Sequence, residues 1–184
     1  MIGVIDVGGG MKAIYSAGLL DYCLDNKIYF DYALGVSAGS GNLMNYTSRQ
    51  IGRAKSFYLD YSFRSEYLSM KNLFTKGEYC DLSYPYKILS NENGESPIDY
   101  ETLFSSDTYF KGVVTNAQTG KAEYYGEETM SKNDYWISMA SSAIPFVSKP
   151  YERYGKAFYD GGIADPIPLK QALADGCEKV VVIL

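Results

Sequence analysis

The chain has 184 residues, 46% of them hydrophobic, and a formal net charge of -5. The apolar content is enough for one packed domain and excludes a disordered tail, and the acidic balance lacks the basic footprint of a nucleic-acid binder. Histidine is absent, so the chain by itself can build no Ser-His-Asp triad, no Cys-His pair and no histidine-rich metal site.

Ile2 to Val7 is a short apolar run ending in Gly8-Gly9-Gly10, which predicts a buried strand entering a tight turn. From Met11 to about Asn26, Ile14, Ala17, Leu20 and Leu24 recur at helical spacing. Phe30 to Val36 predicts a second strand, and Ser37 to about Arg53 a second helix. Strand–helix–strand–helix order implies a parallel sheet with right-handed crossovers. Ile51 to Tyr67 also reads as helical. Met70 to Pro97, interrupted by Gly77, Pro85 and Gly94, reads as short helices and loops placed to cover a site.

Asp99 is set to cap a short helix through Phe104. Phe110–Ala117 and Ala122–Tyr125 flank Thr119-Gly120 as a hairpin would. Asp134 to Ala143 predicts a helix ended by Pro145, Tyr151 to Tyr159 a hairpin turning at Gly155, and Leu169 to Ala174 a helix stopped by Gly176. Lys179 to Leu184 is a strongly apolar strand. A parallel core strand ordinarily feeds another helix, so a further segment is expected beyond it. No repeat or linker divides the chain, which reads as one domain over 1–184.

The three cysteines, Cys23, Cys80 and Cys177, are far apart and odd in number, which suits a reducing compartment better than a disulfide framework or zinc site. With no signal-peptide pattern and no run long enough to span a bilayer, the expectation is a cytoplasmic protein. The 19 tyrosines admit a surface that meets lipid, but they are spread along the whole chain, and ordinary packing is the plainer reading.

Gly35-Val36-Ser37-Ala38-Gly39 matches G-x-S-x-G where a strand turns into a helix, the context that gives the motif meaning. Such a turn exposes the Ser37 hydroxyl and aims the Ala38 amide at the place where an oxyanion would form. Gly8-Gly9-Gly10-Met11-Lys12 lies at the end of the first strand. On an adjacent parallel strand its amides would sit beside Ser37 and take up developing negative charge, with Lys12 adding positive charge nearby. Gly8-x-Gly10-x-x-Ala13 also fits the dinucleotide fingerprint. That fold wants an acidic residue at the end of the second strand, where this chain has Gly35-Val36-Ser37, so nucleotide binding ranks second. Without histidine the base for Ser37 must be a carboxylate or a lysine. Asp160, followed by Gly161-Gly162, is the best candidate. Ser141 and Ser142 read as lining or supporting the site, and Asp6 as a buried, hydrogen-bonded residue.

These three motifs, in this order, resemble the patatin-like phospholipase family, and the stretches Ala33–Leu43, Ala140–Pro150 and Asp160–Pro168 look like its bacterial branch. The resemblance covers nearly the whole chain. It implies a three-layer α/β fold, a mostly parallel central sheet with helices on both faces. It implies a Ser37–Asp160 dyad and an oxyanion hole at Gly9, Gly10 and Met11, with Gly8, Gly35, Gly39, Gly161 and Gly162 supporting the turns. It also implies acyl hydrolysis of lipids with no metal in the catalytic step; no cofactor is expected, and with a lipid or other acyl-ester substrate a peripheral membrane contact is an expectation. The sequence departs from the family at Lys12 and Ala13, where arginine and glycine are usual. Lysine keeps the charge and loses the bidentate fork. A noncatalytic module binding a nucleotide or an acyl chain on the same fold is the competing expectation.

Overall fold

The computed structural model describes residues 1–184. The strands β1 (Ile2–Asp6) and β2 (Tyr32–Val36) are apolar and almost wholly buried, as strands inside a parallel sheet are. Between them a 3₁₀ turn at Gly10–Ala13 leads into α1 (Ile14–Asp25). Helix α2 (Ala38–Thr47) follows β2 at once, and eight of its ten residues are buried, so it is a core element. It stops before Arg53, the expected end. Arg49 (φ 57°) and Gly52 (φ 79°) leave the right-handed helical region and turn the chain. Helix α3 (Arg53–Ser56) then runs into a π-helical turn at Phe57–Tyr61, in place of one helix to Tyr67.

The irregular middle holds α4 (Met70–Lys76), capped by Ser69, and a π-helical turn at Tyr84–Leu89. Asp99 caps α5 (Tyr100–Ser105) by accepting the Thr102 amide at 3.0 Å. Then come β3 (Tyr109–Asn116), β4 (Ala122–Gly126), α6 (Trp136–Ser141), β5 (Tyr151–Arg153), β6 (Lys156–Asp160), α7 (Leu169–Ala174) and β7 (Lys179–Ile183). The β5–β6 hairpin turns on Tyr154 and Gly155, both at positive φ, the geometry that matches strand twist in a two-residue loop.

The seven strands form one mixed sheet, ordered β5-β6-β3-β2-β1-β7 with β4 also on β3. Strands β3, β2, β1 and β7 are parallel neighbours. Strands β4, β5 and β6 join in antiparallel pairs at the β3 side. Val4, Ala33, Phe110 and Val114 pack under α1, α2 and α6. Ile5, Leu34, Val36 and Val113 point to the other face, where Ala172 of α7 covers them. The result is three layers. No helix is long and apolar enough to cross a membrane.

One feature of the sheet positions the site. Strand β4 runs along one edge of β3, from Lys111 to Thr115. The other edge is shared end to end: β2 pairs as far as Val113, opposite Val36, and β6 begins at Val114, opposite Asp160. Strand β2 is parallel to β3 and β6 antiparallel, so their carboxyl ends meet.

Candidate active site

Ser37 sits at the tip of β2 with φ 54° and ψ -133°, a conformation rare for any residue with a side chain. The turn closes only because its flanking residues lack side chains. A Cβ on Gly35 would lie 2.3 Å from Ser40 Cα, and one on Gly39 would lie 2.2 Å from the Asp6 carbonyl oxygen. The Ser37 amide donates to Ser141 Oγ at 2.8 Å, and the Ser37 carbonyl accepts Ser40 Oγ at 2.6 Å. Strained backbone is thus held from both sides.

The Ser37 hydroxyl donates to Asp160 Oδ2 at 2.6 Å. The other oxygen, Oδ1, accepts the Gly162 amide at 2.8 Å. The Asp160 backbone is fixed by its own amide, which donates to Ala143 O at 2.8 Å, and by Thr115 Oγ1, which donates to its carbonyl at 2.7 Å. Gly161 lies against β3, where a Cβ would meet the Val113 carbonyl oxygen at 2.2 Å. Asp160 is buried. Burial pushes its pKa above the usual carboxylate value, and the bonds from Ser37 and Gly162 pull it partly back.

The glycine loop lies beside this pair. Gly8, Gly9 and Gly10 all have positive φ, and a Cβ on Gly8 would strike the Val36 carbonyl oxygen at 2.5 Å. The loop is tied to buried Asp6, whose Oδ1 accepts the Gly8 amide at 2.9 Å. Asp6 Oδ2 accepts Asn42 Nδ2 at 3.1 Å, and Asn42 also donates to the Ala13 carbonyl at 2.9 Å. Burial raises the Asp6 pKa, against the bonds from Gly8, Ser16 and Asn42. Asn42 therefore couples β1, the loop and α2. The sequence offered no signal for it beyond a polar residue on a helix that turns out to be buried.

Gly10, Met11, Ser37 and Ala38 line one pocket; Gly9 is exposed and lies outside that lining. Lys12 is exposed as well. The remaining wall is mostly apolar, with Met44, Phe57 and Leu89 among its residues. Cys80, Tyr86 and Ser96 bring the 70–97 segment over the site, and Ser142 hydrogen-bonds the Tyr86 hydroxyl at 3.1 Å. No group of three Asp, Glu or Cys side chains is placed to hold a metal ion.

A serine at a strand–helix elbow, with a carboxylate on its hydroxyl and a glycine loop at its side, places the molecule among α/β proteins of the serine-elbow class. The chain belongs to the patatin-like phospholipase family, whose model matches residues 7–173. It is 29% identical over 189 residues to the uncharacterized protein YjjU of Escherichia coli (strain K12), a match taking in 99% of this chain and 51% of that protein. VipD from Legionella pneumophila shares the fold, with a TM-score of 0.59 at 15% identity, over 89% of this chain and 46% of that one. The chain spans about half the length of these two relatives.

Proposed function

We propose that the chain is a lipid acyl hydrolase, a serine esterase of phospholipase A or lysophospholipase type. The observation that carries the reading is the 2.6 Å hydrogen bond from Ser37 Oγ to buried Asp160. Ser37 attacks the ester carbonyl while Asp160 Oδ2 takes its proton. The tetrahedral oxyanion is stabilised by amides of the Gly9–Met11 loop and of Ala38, at the dipole end of α2. Protonated Asp160 then gives its proton to the leaving alcohol. Water enters, and the same two groups release the acid. Raising the Asp160 pKa by burial makes it a better base than an ordinary carboxylate. The mostly apolar pocket suits an acyl chain.

The pocket mouth supports contact with a lipid surface. The amides of Tyr79 and Cys80 both donate to the Val147 carbonyl at 2.9 Å, so the 144–148 loop and the chain after α4 lie side by side. Phe146 in that loop is 102% exposed, and Phe74 of α4 is 81% exposed. Ile144, Val147 and Ser148 of the Phe146 loop line the pocket, and an exposed apolar side chain on that loop fits a protein that takes substrate from a bilayer or micelle.

A fluorophosphonate probe tests the chemistry. Ser37 should be labelled in the wild type and not in Asp160→Asn, and p-nitrophenyl ester turnover should be lost in Ser37→Ala. An unlabelled wild-type chain that still binds acyl chains would replace this reading with a noncatalytic binding module.

A further inference from the structure

Arg53 is the one charged side chain in the lining of the pocket that holds Ser37. It forms no ion pair. Its Nε donates to Pro97 O at 3.2 Å, Nη1 to Asn45 Oδ1 at 2.5 Å, and Nη2 to Ser90 Oγ at 2.8 Å and to Ser96 O. These are four neutral acceptors for five N–H bonds, and the second N–H of Nη1 has no protein partner. The ionisable side chains that most affect its charge are tyrosines 135, 61 and 86. Burial pushes its pKa down to about 10, so it stays charged at neutral pH. A charge withdrawn from water is costly without an opposite charge. Arg53 is half-buried, so neutral dipoles replace part of its hydration and leave its charge unmatched.

The place of Arg53 along the pocket follows from α2. Asn45, which holds Nη1, is eight residues beyond Ser37, about 12 Å along a helix axis. Gly41 lies midway on the same face and also lines the pocket; a Cβ there would come within 3.0 Å of the Tyr86 hydroxyl oxygen. The absent side chain keeps the groove open between the serine and the guanidinium.

We infer that Arg53 forms an anion subsite, taking a phosphate or carboxylate carried by the ligand about 12 Å from the group that reaches Ser37. The inference rests on reading the pocket as an acyl site, and it narrows the substrate class to esters whose chain carries an anionic group at its far end, a longer separation than that between ester and phosphate in a glycerophospholipid. A planar guanidinium with one N–H free recognises such an oxyanion, and the apolar wall between the two ends holds the chain that links them.

The test is calorimetric titration of the full chain with decyl phosphate and with decanol, which share a chain and differ in charge. Wild-type protein should bind decyl phosphate at least about tenfold tighter, a margin of about 1.4 kcal/mol. Arg53→Met should shrink that ratio about tenfold, and Arg53→Lys should keep part of it. Equal binding of the two probes by the wild type overturns the inference without any variant, so misfolding of Arg53→Met cannot shelter it. An unchanged ratio in a folded Arg53→Met overturns it too. Inorganic phosphate separates the sources of the anion: weak binding supports a lipid-borne group, and binding as tight as that of decyl phosphate sinks the lipid subsite. Ser37→Ala should retain the phosphate preference. A retained preference in a chain that never labels with fluorophosphonate would end the hydrolase reading and spare the subsite; labelling together with equal probe binding would do the reverse.

Discussion

Val36 and Asp160 end two strands that run toward each other, and they pair with successive residues of β3, Val113 and Val114. The serine follows Val36 directly. Two groups 123 positions apart are thus brought together by the register of two short ladders on one strand edge, and not by a flexible loop. Side chains alternate faces along a strand, so a slip of one residue in β6 would turn the carboxylate away from the hydroxyl.

The two glycines after Asp160 should therefore respond differently to alanine. A Cβ at Gly161 would meet the β3 backbone at 2.2 Å, and nothing there is a flexible chain end. Gly161→Ala must shift the start of the aspartate loop, and a shift near 1 Å in a reacting group can cost about 10²-fold. A Cβ at Gly162 would come 3.2 Å from Asp160 Oδ1, and its amide would still donate to that oxygen. Gly162→Ala should cost less than about tenfold in kcat/KM on a soluble p-nitrophenyl ester. Equal losses in the two variants would contradict the role given to the β3 contact.

Much of this arrangement is legible in the residues. Glycines at 8, 35 and 39 mark places where the backbone passes too close for a side chain, those at 9 and 10 mark positive φ, and such places are fixed by local sequence. The α7 helix and the Gly155 hairpin lie where turn and stop residues put them. The two hairpins were legible, but the pairing of β6 on β3 was not, because it is a contact over more than 40 positions with no local signature. The second helix ends early for a similar reason. Apolar spacing continues past Arg49, but Arg49 and Gln50 are engaged elsewhere, by Thr108 Oγ1 and the Pro97 carbonyl. Arg53 went unnoticed because arginine in a helical stretch ordinarily means a solvated face.

The acid limb of the pH–rate profile should belong to a carboxylate above the ordinary aspartate range. Asp160 must be ionised to accept a proton, and burial raises its pKa. Activity should therefore rise with pH through that raised value and show no imidazole step, since the chain has no histidine. Asp6 is also raised and also near the site. Asp6→Asn separates the two. The limb should stay in place in that variant, measured as kcat/KM across pH; its disappearance would hand the titration to Asp6.

Stability should move against activity at both members of the pair. The raised pKa of Asp160 contributes stability that is fully present below the unfolded carboxylate value and lost as pH rises through the folded one. At neutral pH the wild type thus carries the burial cost of the charged form. Asp160→Asn should melt higher than wild type at pH 7, and that margin should narrow as the pH approaches 3.5. Ser37→Gly should also stabilise, by about 1–3 kcal/mol, because glycine relieves the positive φ of the elbow. Both variants should be inactive. Thermal melts at the two pH values check the sign, and a less stable Asp160→Asn at pH 7 would oppose it.

Lipid contact at the pocket mouth should depend on Phe146. Its side chain is fully exposed, and its backbone is held at φ 68°, a conformation that aspartate and asparagine tolerate better than an aromatic residue. Phe146→Asp should therefore fold at least as well as wild type, which removes misfolding as an explanation for weaker binding. Inserting one phenylalanine into an apolar phase is worth about 1.5–3 kcal/mol. Partitioning of Ser37→Ala onto phospholipid vesicles should accordingly fall roughly 10- to 100-fold when Phe146→Asp is added. Co-sedimentation reads this directly, with Ser37→Ala as the background so that the vesicles are not hydrolysed. Undiminished sedimentation of the double variant would place the lipid-facing surface elsewhere on the molecule.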